Sequence, residues 1–86
     1  MTELEILKFA RKGIEAEILK LNKKEERGES LRRTYQNDFN ISVEKYENVI
    51  RSLQHIRKER RELFYKEQEV KRMIANLQLD EGIIDL

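Results

Sequence analysis

The sequence contains no cysteine, no proline and no tryptophan, and it has one histidine and three glycines. Without cysteine the chain can form no disulfide and offers no thiolate to a metal. The sequence therefore does not indicate whether its compartment is oxidising or reducing. No apolar run approaches the roughly 20 residues of a membrane-spanning helix, and the first residues do not resemble a secretory leader. We therefore expect a cytoplasmic protein that does not contact membranes.

The residues that catalysis needs are equally scarce. His55 is the single histidine, so it has no second imidazole or thiolate with which to hold a metal. No serine has a recognisable base beside it, and no glycine-rich loop is present to cradle a phosphate. The 17 acidic residues are interspersed with 18 basic ones, a pattern typical of solvated helix faces. We expect a protein that is not an enzyme and that holds no cofactor or metal.

Charged residues make up 41% of the 86 positions and hydrophobic residues 38%. Together with the absence of proline, this composition is typical of long helices and coiled coils. A chain of this length forms one small domain, which buries only about 60 to 65% of the surface that its unfolded form exposes. We therefore predict a single all-α domain over residues 1–86 that associates with other helices.

The second half of the chain carries the clearest pattern. Apolar residues recur in alternating steps of three and four, interrupted only at Arg60 and Glu67: Tyr46, Val49, Leu53, Ile56, Leu63, Val70, Ile74 and Leu77. This repeat predicts a helix over about residues 43–79, roughly 54 Å long at 1.5 Å per residue. A chain of this size is too small to cover such a helix with a globular core. The apolar seam must therefore lie against another helix.

The first helix is predicted over about residues 3–35. Thr2 followed by Glu5 is a capping box that starts it. Its apolar stripe comprises Leu4, Leu7, Ala10, Ile14, Ile18 and Leu21, and it resumes at Leu31 and Tyr35. Gly28 could end this helix with a left-handed cap or could sit inside it and let a partner approach closely. We favour the continuous helix.

Short polar residues at Asn37, Asp38 and Asn40 predict a turn over residues 37–41. Ser42 is a suitable N-cap for the helix that follows. Residues 80–86 are predicted to form a short tail in which Ile83, Ile84 and Leu86 stand among acidic residues. The tail could cap the open end of a helical bundle or could bind a partner.

A turn near residue 39 predicts an antiparallel hairpin in which facing residues have numbers that add up to about 78. The apolar stripes largely obey this rule, and Gly28 falls opposite Val49 and Ile50. The two charged interruptions then meet opposite charges, since Arg60 faces Glu17 and Glu67 faces Arg11. We predict that these four residues set the register of the hairpin more than they add to its stability, because desolvation offsets much of the attraction between buried charges.

Several apolar residues fall outside the predicted seam: Ile6, Phe9, Leu19, Ile50, Phe64 and Met73. Two helices cannot cover them, so we expect a homodimer in which two hairpins form a four-helix bundle or coiled coil. A hairpin that docks on a different protein is one alternative. A continuous rod that dimerises through residues 42–78 is another, but it leaves the N-terminal stripe unexplained.

A basic stretch on the second helix lies beside two aromatic residues. Specific protein contacts favour arginine and aromatic anchors, so we predict that a protein partner binds through this face or through the tail: Arg57, Arg61, Phe64, Tyr65, Ile83, Ile84 and Leu86. The expected function is that of an adaptor, assembly factor or stoichiometric inhibitor. The alternative is a nucleic-acid-binding regulator that uses Arg57, Arg61 and Arg72, although interleaved glutamates oppose phosphate binding.

Overall fold

The computed structural model describes residues 1–80 and shows an antiparallel hairpin of two long helices, 64 × 23 × 15 Å in extent. Helix α1 spans Glu3–Gln36 and helix α2 spans Val43–Asp80. The predicted all-α hairpin is confirmed. Each helix begins at the expected residue and ends one residue later than expected. Asp80 is therefore the last residue of α2 and not the first residue of the tail. The predicted tail residues 81–86 lie outside the described part of the chain.

Local hydrogen bonds explain where the helices begin. The Thr2 hydroxyl accepts from the backbone N–H of Glu5 at 3.2 Å, and the Ser42 hydroxyl accepts from that of Lys45 at 3.3 Å. Each bond satisfies one of the N–H groups that have no partner within the first turn of a helix. Between the helices, the Asp38 carboxylate accepts from the Asn40 N–H at 2.9 Å and tightens the turn.

Each helix contributes a ladder of buried and half-buried residues, in alternating steps of three and four, to the seam between the helices. The α1 ladder is Leu4, Leu7, Arg11, Ile14, Ile18, Leu21, Glu25, Gly28, Arg32 and Tyr35. The α2 ladder is Tyr46, Val49, Leu53, Ile56, Arg60, Leu63, Glu67, Val70, Ile74 and Leu77. This is the spacing of a two-stranded coiled coil.

Two positions of the predicted α1 stripe are wrong. Ala10 and Leu31 are exposed, and the neighbouring Arg11 and Arg32 occupy the seam in their place. The reason is periodicity, because a ladder that keeps steps of three and four from Leu7 to Ile14 must pass through residue 11. Arginine tolerates such a position because its aliphatic stem packs along the seam while its guanidinium reaches out.

Gly28 lies inside α1, as expected, and the two helices approach each other closely there. A Cβ atom added there would lie 2.7 Å from Cδ2 of Leu53 and 3.3 Å from its Cγ. Leu53 is only 1% exposed, the most deeply buried large side chain in the described residues. The predicted neighbours of Gly28, Val49 and Ile50, are therefore replaced by Leu53.

The contact between Gly28 and Leu53 corrects the register, because the numbers of facing residues add up to 81 and not to about 78. In this register every α1 ladder residue lies level with an α2 ladder residue, from Leu4 with Leu77 to Tyr35 with Tyr46. Steps of three on one helix must meet steps of three on the other. The two ladders match again only after a shift of a whole heptad, so the ladders select the register within the limits of the loop.

The hairpin buries little. Leu21, Leu53 and Ile74 form its buried apolar core, and Glu67 is the buried charged residue of the described chain. Of the six apolar residues predicted to lie outside the seam, Ile50 is half-buried, whereas the other five are exposed: Ile6, Phe9, Leu19, Phe64 and Met73. Neither described helix has a stretch long and apolar enough to cross a membrane.

Candidate protein-interaction surface

Charged side chains connect the middle of the two helices. Arg60 donates to both oxygens of Glu25, at 2.6 and 3.0 Å, and also to the Asn22 side-chain oxygen at 3.0 Å. Arg57 donates to Glu25 at 2.9 Å and to Glu29 at 2.5 Å. We call Glu25, Glu29, Arg57 and Arg60 the central ion cluster. Bidentate arginine–carboxylate bonds of this kind fix geometry as well as charge.

The cluster favours the charged form of its carboxylates. Hydrogen bonds from Arg60 and then Arg57 hold the pKa of Glu25 below its ordinary value, although partial burial opposes this shift. The pKa of Glu29 is lowered mainly by its hydrogen bond to Arg32, with a smaller contribution from Arg57. Glu25 in turn raises the pKa of Arg57. The positive charge of Arg57 is thus compensated within the hairpin.

The predicted pairing of the register residues is wrong. Arg60 bonds to Glu25, whereas Glu17 lies 3.4 Å from Lys20 on its own helix. The corrected register places Arg60 level with Leu21, one turn away from Glu17. Arg11 and Glu67 also form ion pairs within their own helices, with Glu15 at 3.1 Å and Lys71 at 2.9 Å: Arg11–Glu15 and Glu67–Lys71. The register-setting role of Arg60 stays a prediction, now through Glu25.

An open groove of about 440 Å³ lies beside the central ion cluster. It is lined by Ile18, Asn22, Arg57, Arg60, Arg61 and Phe64. Phe64 is 51% exposed, and its ring meets that of Tyr65 edge to face, with centroids 6.3 Å apart. One wall of the groove is therefore apolar and aromatic, and its rim is basic.

The groove brings together three of the predicted partner-binding residues, namely Arg57, Arg61 and Phe64. Tyr65 lies beside Phe64 and is 65% exposed. Within residues 1–80, no carboxylate lies within 4.0 Å of the Arg61 guanidinium, in contrast to Arg57. The three tail residues of the prediction fall outside the described residues: Ile83, Ile84 and Leu86.

Sequence reasoning missed the α1 side of this surface. Asn22, Glu25 and Glu29 were not singled out, although Glu25 belongs to the α1 ladder and the other two flank it. The signal was the unbroken step pattern from Leu21 to Gly28, which places residue 25 in the seam. A search for apolar residues alone passes over a seam position that is occupied by a carboxylate.

His55 lies on the outside of α2, where its Nε2 is 2.5 Å from a carboxylate oxygen of Glu59. Its side chain is 70% exposed. Over the described range 1–80, no three histidine or acidic residues come together as a metal site would require.

Compared with known protein families, with curated proteins and with solved structures, the chain shows no match. The surface of the hairpin is therefore what indicates a function.

Proposed function

We propose that this protein is a small non-enzymatic interaction module, which presents helical surface to a protein partner as an adaptor, assembly factor or stoichiometric inhibitor. The observation that supports this proposal is the groove at Phe64, where an exposed aromatic ring lies beside an arginine without an ion-pair partner in residues 1–80. Exposed aromatic and arginine side chains are the anchors that dominate protein interfaces.

Three arginines line the groove, and their ion pairs favour Arg61 as the one that anchors a partner. Arg60 is held by Glu25, and Arg57 by Glu25 and Glu29, so both guanidinium groups shape the groove with carboxylate partners already in place. Arg61 can offer its charge to a partner. We expect a partner segment that places an apolar side chain against Phe64 and Ile18 and a carboxylate near Arg61.

The nucleic-acid alternative requires Arg57, Arg61 and Arg72 to act together on phosphates. Arg57 already binds two carboxylates, Glu25 and Glu29, so exposing its charge to a phosphate means breaking those bonds. Each such loss weakens binding, because affinity for nucleic acid increases with every phosphate that is neutralised. The protein partner is therefore the preferred proposal.

The test is capture of a partner from a lysate of the source cells by the tagged protein, with and without nuclease, followed by titration of the purified partner. Phe64→Ala and Arg61→Ala should each weaken binding by more than about 1 kcal/mol, which is roughly fivefold in Kd, because each removes an anchor. Phe39→Ala is the matched control, since Phe39 is fully exposed at the turn.

Two outcomes would contradict the proposal. The first is a partner that binds both variants as tightly as it binds the wild type. The second is capture that nuclease abolishes, together with binding to duplex nucleic acid that falls with salt at a log–log slope of about −0.9 for each phosphate neutralised. The second outcome would support the nucleic-acid alternative, especially if Phe64→Ala had little effect.

A further inference from the structure

A second ladder runs along the outer side of the first half of α1. It repeats steps of four and three residues through Thr2, Ile6, Phe9, Gly13, Ala16 and Lys20, and we call it the outer ladder. Ile6 is 53% exposed and Phe9 is 60% exposed. A Cβ atom added to Gly13 would meet nothing within 4 Å. Between Thr2 and Lys20 the outer ladder carries no charge, so this face of the hairpin has the spacing of a coiled-coil seam without a helix against it.

The outer ladder has the same spacing in both directions, so an antiparallel copy of itself matches it. In that arrangement Phe9 lies level with Gly13 of the second copy, and Ile6 lies level with Ala16 of the second copy. Each large side chain meets a small one, as interdigitating packing requires. A two-fold axis makes every such contact occur twice. We propose that the outer ladder binds a second copy of this chain in antiparallel orientation, with Phe9 of each copy packed over Gly13 of the other.

Charges at one edge of the outer ladder fit the same arrangement. In the hairpin seam, Arg57 and Glu29 each follow a ladder residue and form an ion pair across the helices. At the equivalent spacing, Glu3 meets Lys24 of the second copy. Glu3 also comes to a similar level as Glu17 of the second copy, so the repulsion between these two offsets part of the attraction to Lys24. Burial of the apolar ladder residues supplies the driving force.

The outer ladder lies on the face of α1 roughly opposite the ladder that contacts α2. In the proposed dimer the two α1 helices therefore lie side by side, between the two α2 helices. The Phe64 groove lies between α1 and α2, away from the outer ladder. This inference therefore does not depend on the proposed function.

The first test is the mass of the purified protein by sedimentation equilibrium over a range of concentrations. The wild type should dimerise. Phe9→Ala should weaken the dimer at least tenfold by removing the large residue, and Gly13→Phe should do the same by filling its site. The double variant Phe9→Ala/Gly13→Phe should restore most of the affinity, because it again places a large residue level with a small one. Phe64→Ala is the matched control and should leave the dimer unchanged.

The second test uses the absence of cysteine from the chain. A mixture of Ile6→Cys and Ala16→Cys should form a mixed disulfide dimer on mild oxidation, since the two positions face each other. Either variant alone should not, because identical residues are offset by ten positions, about 15 Å along the helix, whereas a disulfide needs Cα atoms within about 7 Å.

Circular dichroism should show every variant as helical as the wild type, because the altered side chains are exposed in the hairpin. A wild type that stays monomeric at every concentration would overturn the inference. Disulfides that form between identical variants would do so too, because they indicate parallel pairing, and so would a double variant no tighter than Gly13→Phe. These experiments use purified protein alone, so their failure would leave the proposed function untouched.

Discussion

At the scale of single residues, five of the 20 ladder positions in the seam hold charged side chains. Arg11, Glu25 and Arg32 take ladder positions in α1, as Arg60 and Glu67 do in α2. The α2 interruptions were recognisable because apolar neighbours surround them at the correct spacing. In α1, the apolar residues Ala10 and Leu31 lie next to the true ladder positions, so the apolar pattern selects them instead. The pattern of apolar residues therefore predicts the α2 ladder, whereas the α1 ladder follows only from the regular steps of three and four residues.

The pairing of Arg60 gives a direct test at this scale. A double-mutant cycle of Arg60→Leu and Glu25→Leu, measured by urea unfolding, should show a coupling of about 1 to 2 kcal/mol. The side chains are 32% and 21% exposed, so the value should lie between those of surface and buried pairs.

The matched cycle replaces Glu25 with Glu17, the partner expected from the sequence. Arg60→Leu and Glu17→Leu should act additively to within about 0.5 kcal/mol, because the two residues share no bond. Coupling to Glu17 and none to Glu25 would restore the register in which facing numbers add up to about 78.

At the scale of the helices, their ends were predictable and their alignment was not. Thr2 and Ser42 cap residues three positions away, so the start of each helix depends on local chemistry alone. The register depends instead on which residues of two distant segments face each other. A symmetric turn predicts that alignment only to within a few residues, and the ladders decide the remainder.

The glycines of α1 should respond in opposite ways to alanine. Gly28→Ala should lower the free energy of unfolding by about 1 kcal/mol, because the new methyl group collides with Leu53 and this cost exceeds the gain in helix propensity. Gly13→Ala should raise it by up to about 1 kcal/mol, since space is open there. Urea unfolding at concentrations too low for association measures both.

The combination of Gly28→Ala with Leu53→Val provides the control for that explanation. If the collision causes the loss, the double variant should be more stable than the sum of the two single changes, because the smaller side chain frees the space. Equal stabilisation by Gly28→Ala and Gly13→Ala would instead mean that the helices do not touch at Gly28.

At the scale of the whole molecule, the candidate surface was predicted from one helix and completed by the other. Arg57, Arg61 and Phe64 lie in one groove, as their spacing on α2 suggested. Ile18 and Asn22 line the same groove from α1. The sequence does not predict them, because which α1 residues lie beside Phe64 depends on the register. The central ion cluster also depends on both helices, because its arginines belong to α2 and its carboxylates to α1.

This placement makes the stability of the hairpin sensitive to acid. The pKa values of Glu25 and Glu29 are lowered in the folded protein from an ordinary value of 4.5. Below that value the unfolded chain binds protons that the folded chain does not, so folding loses the contribution of these carboxylates as pH falls through their folded pKa values. Above pH 4.5 their contribution should be complete.

Urea unfolding at pH values between 7 and 3 should therefore show a loss of stability in the wild type below about pH 4.5. Glu25→Gln should be less stable at pH 7 and should lose less on acidification, since it has no carboxylate for Arg60 and Arg57 to hold. Glu26→Gln makes the same change in charge at an exposed neighbouring position and should follow the wild-type profile. If the two variants had the same pH profile, the bonds from Arg57 and Arg60 to Glu25 would not contribute to the stability of the hairpin.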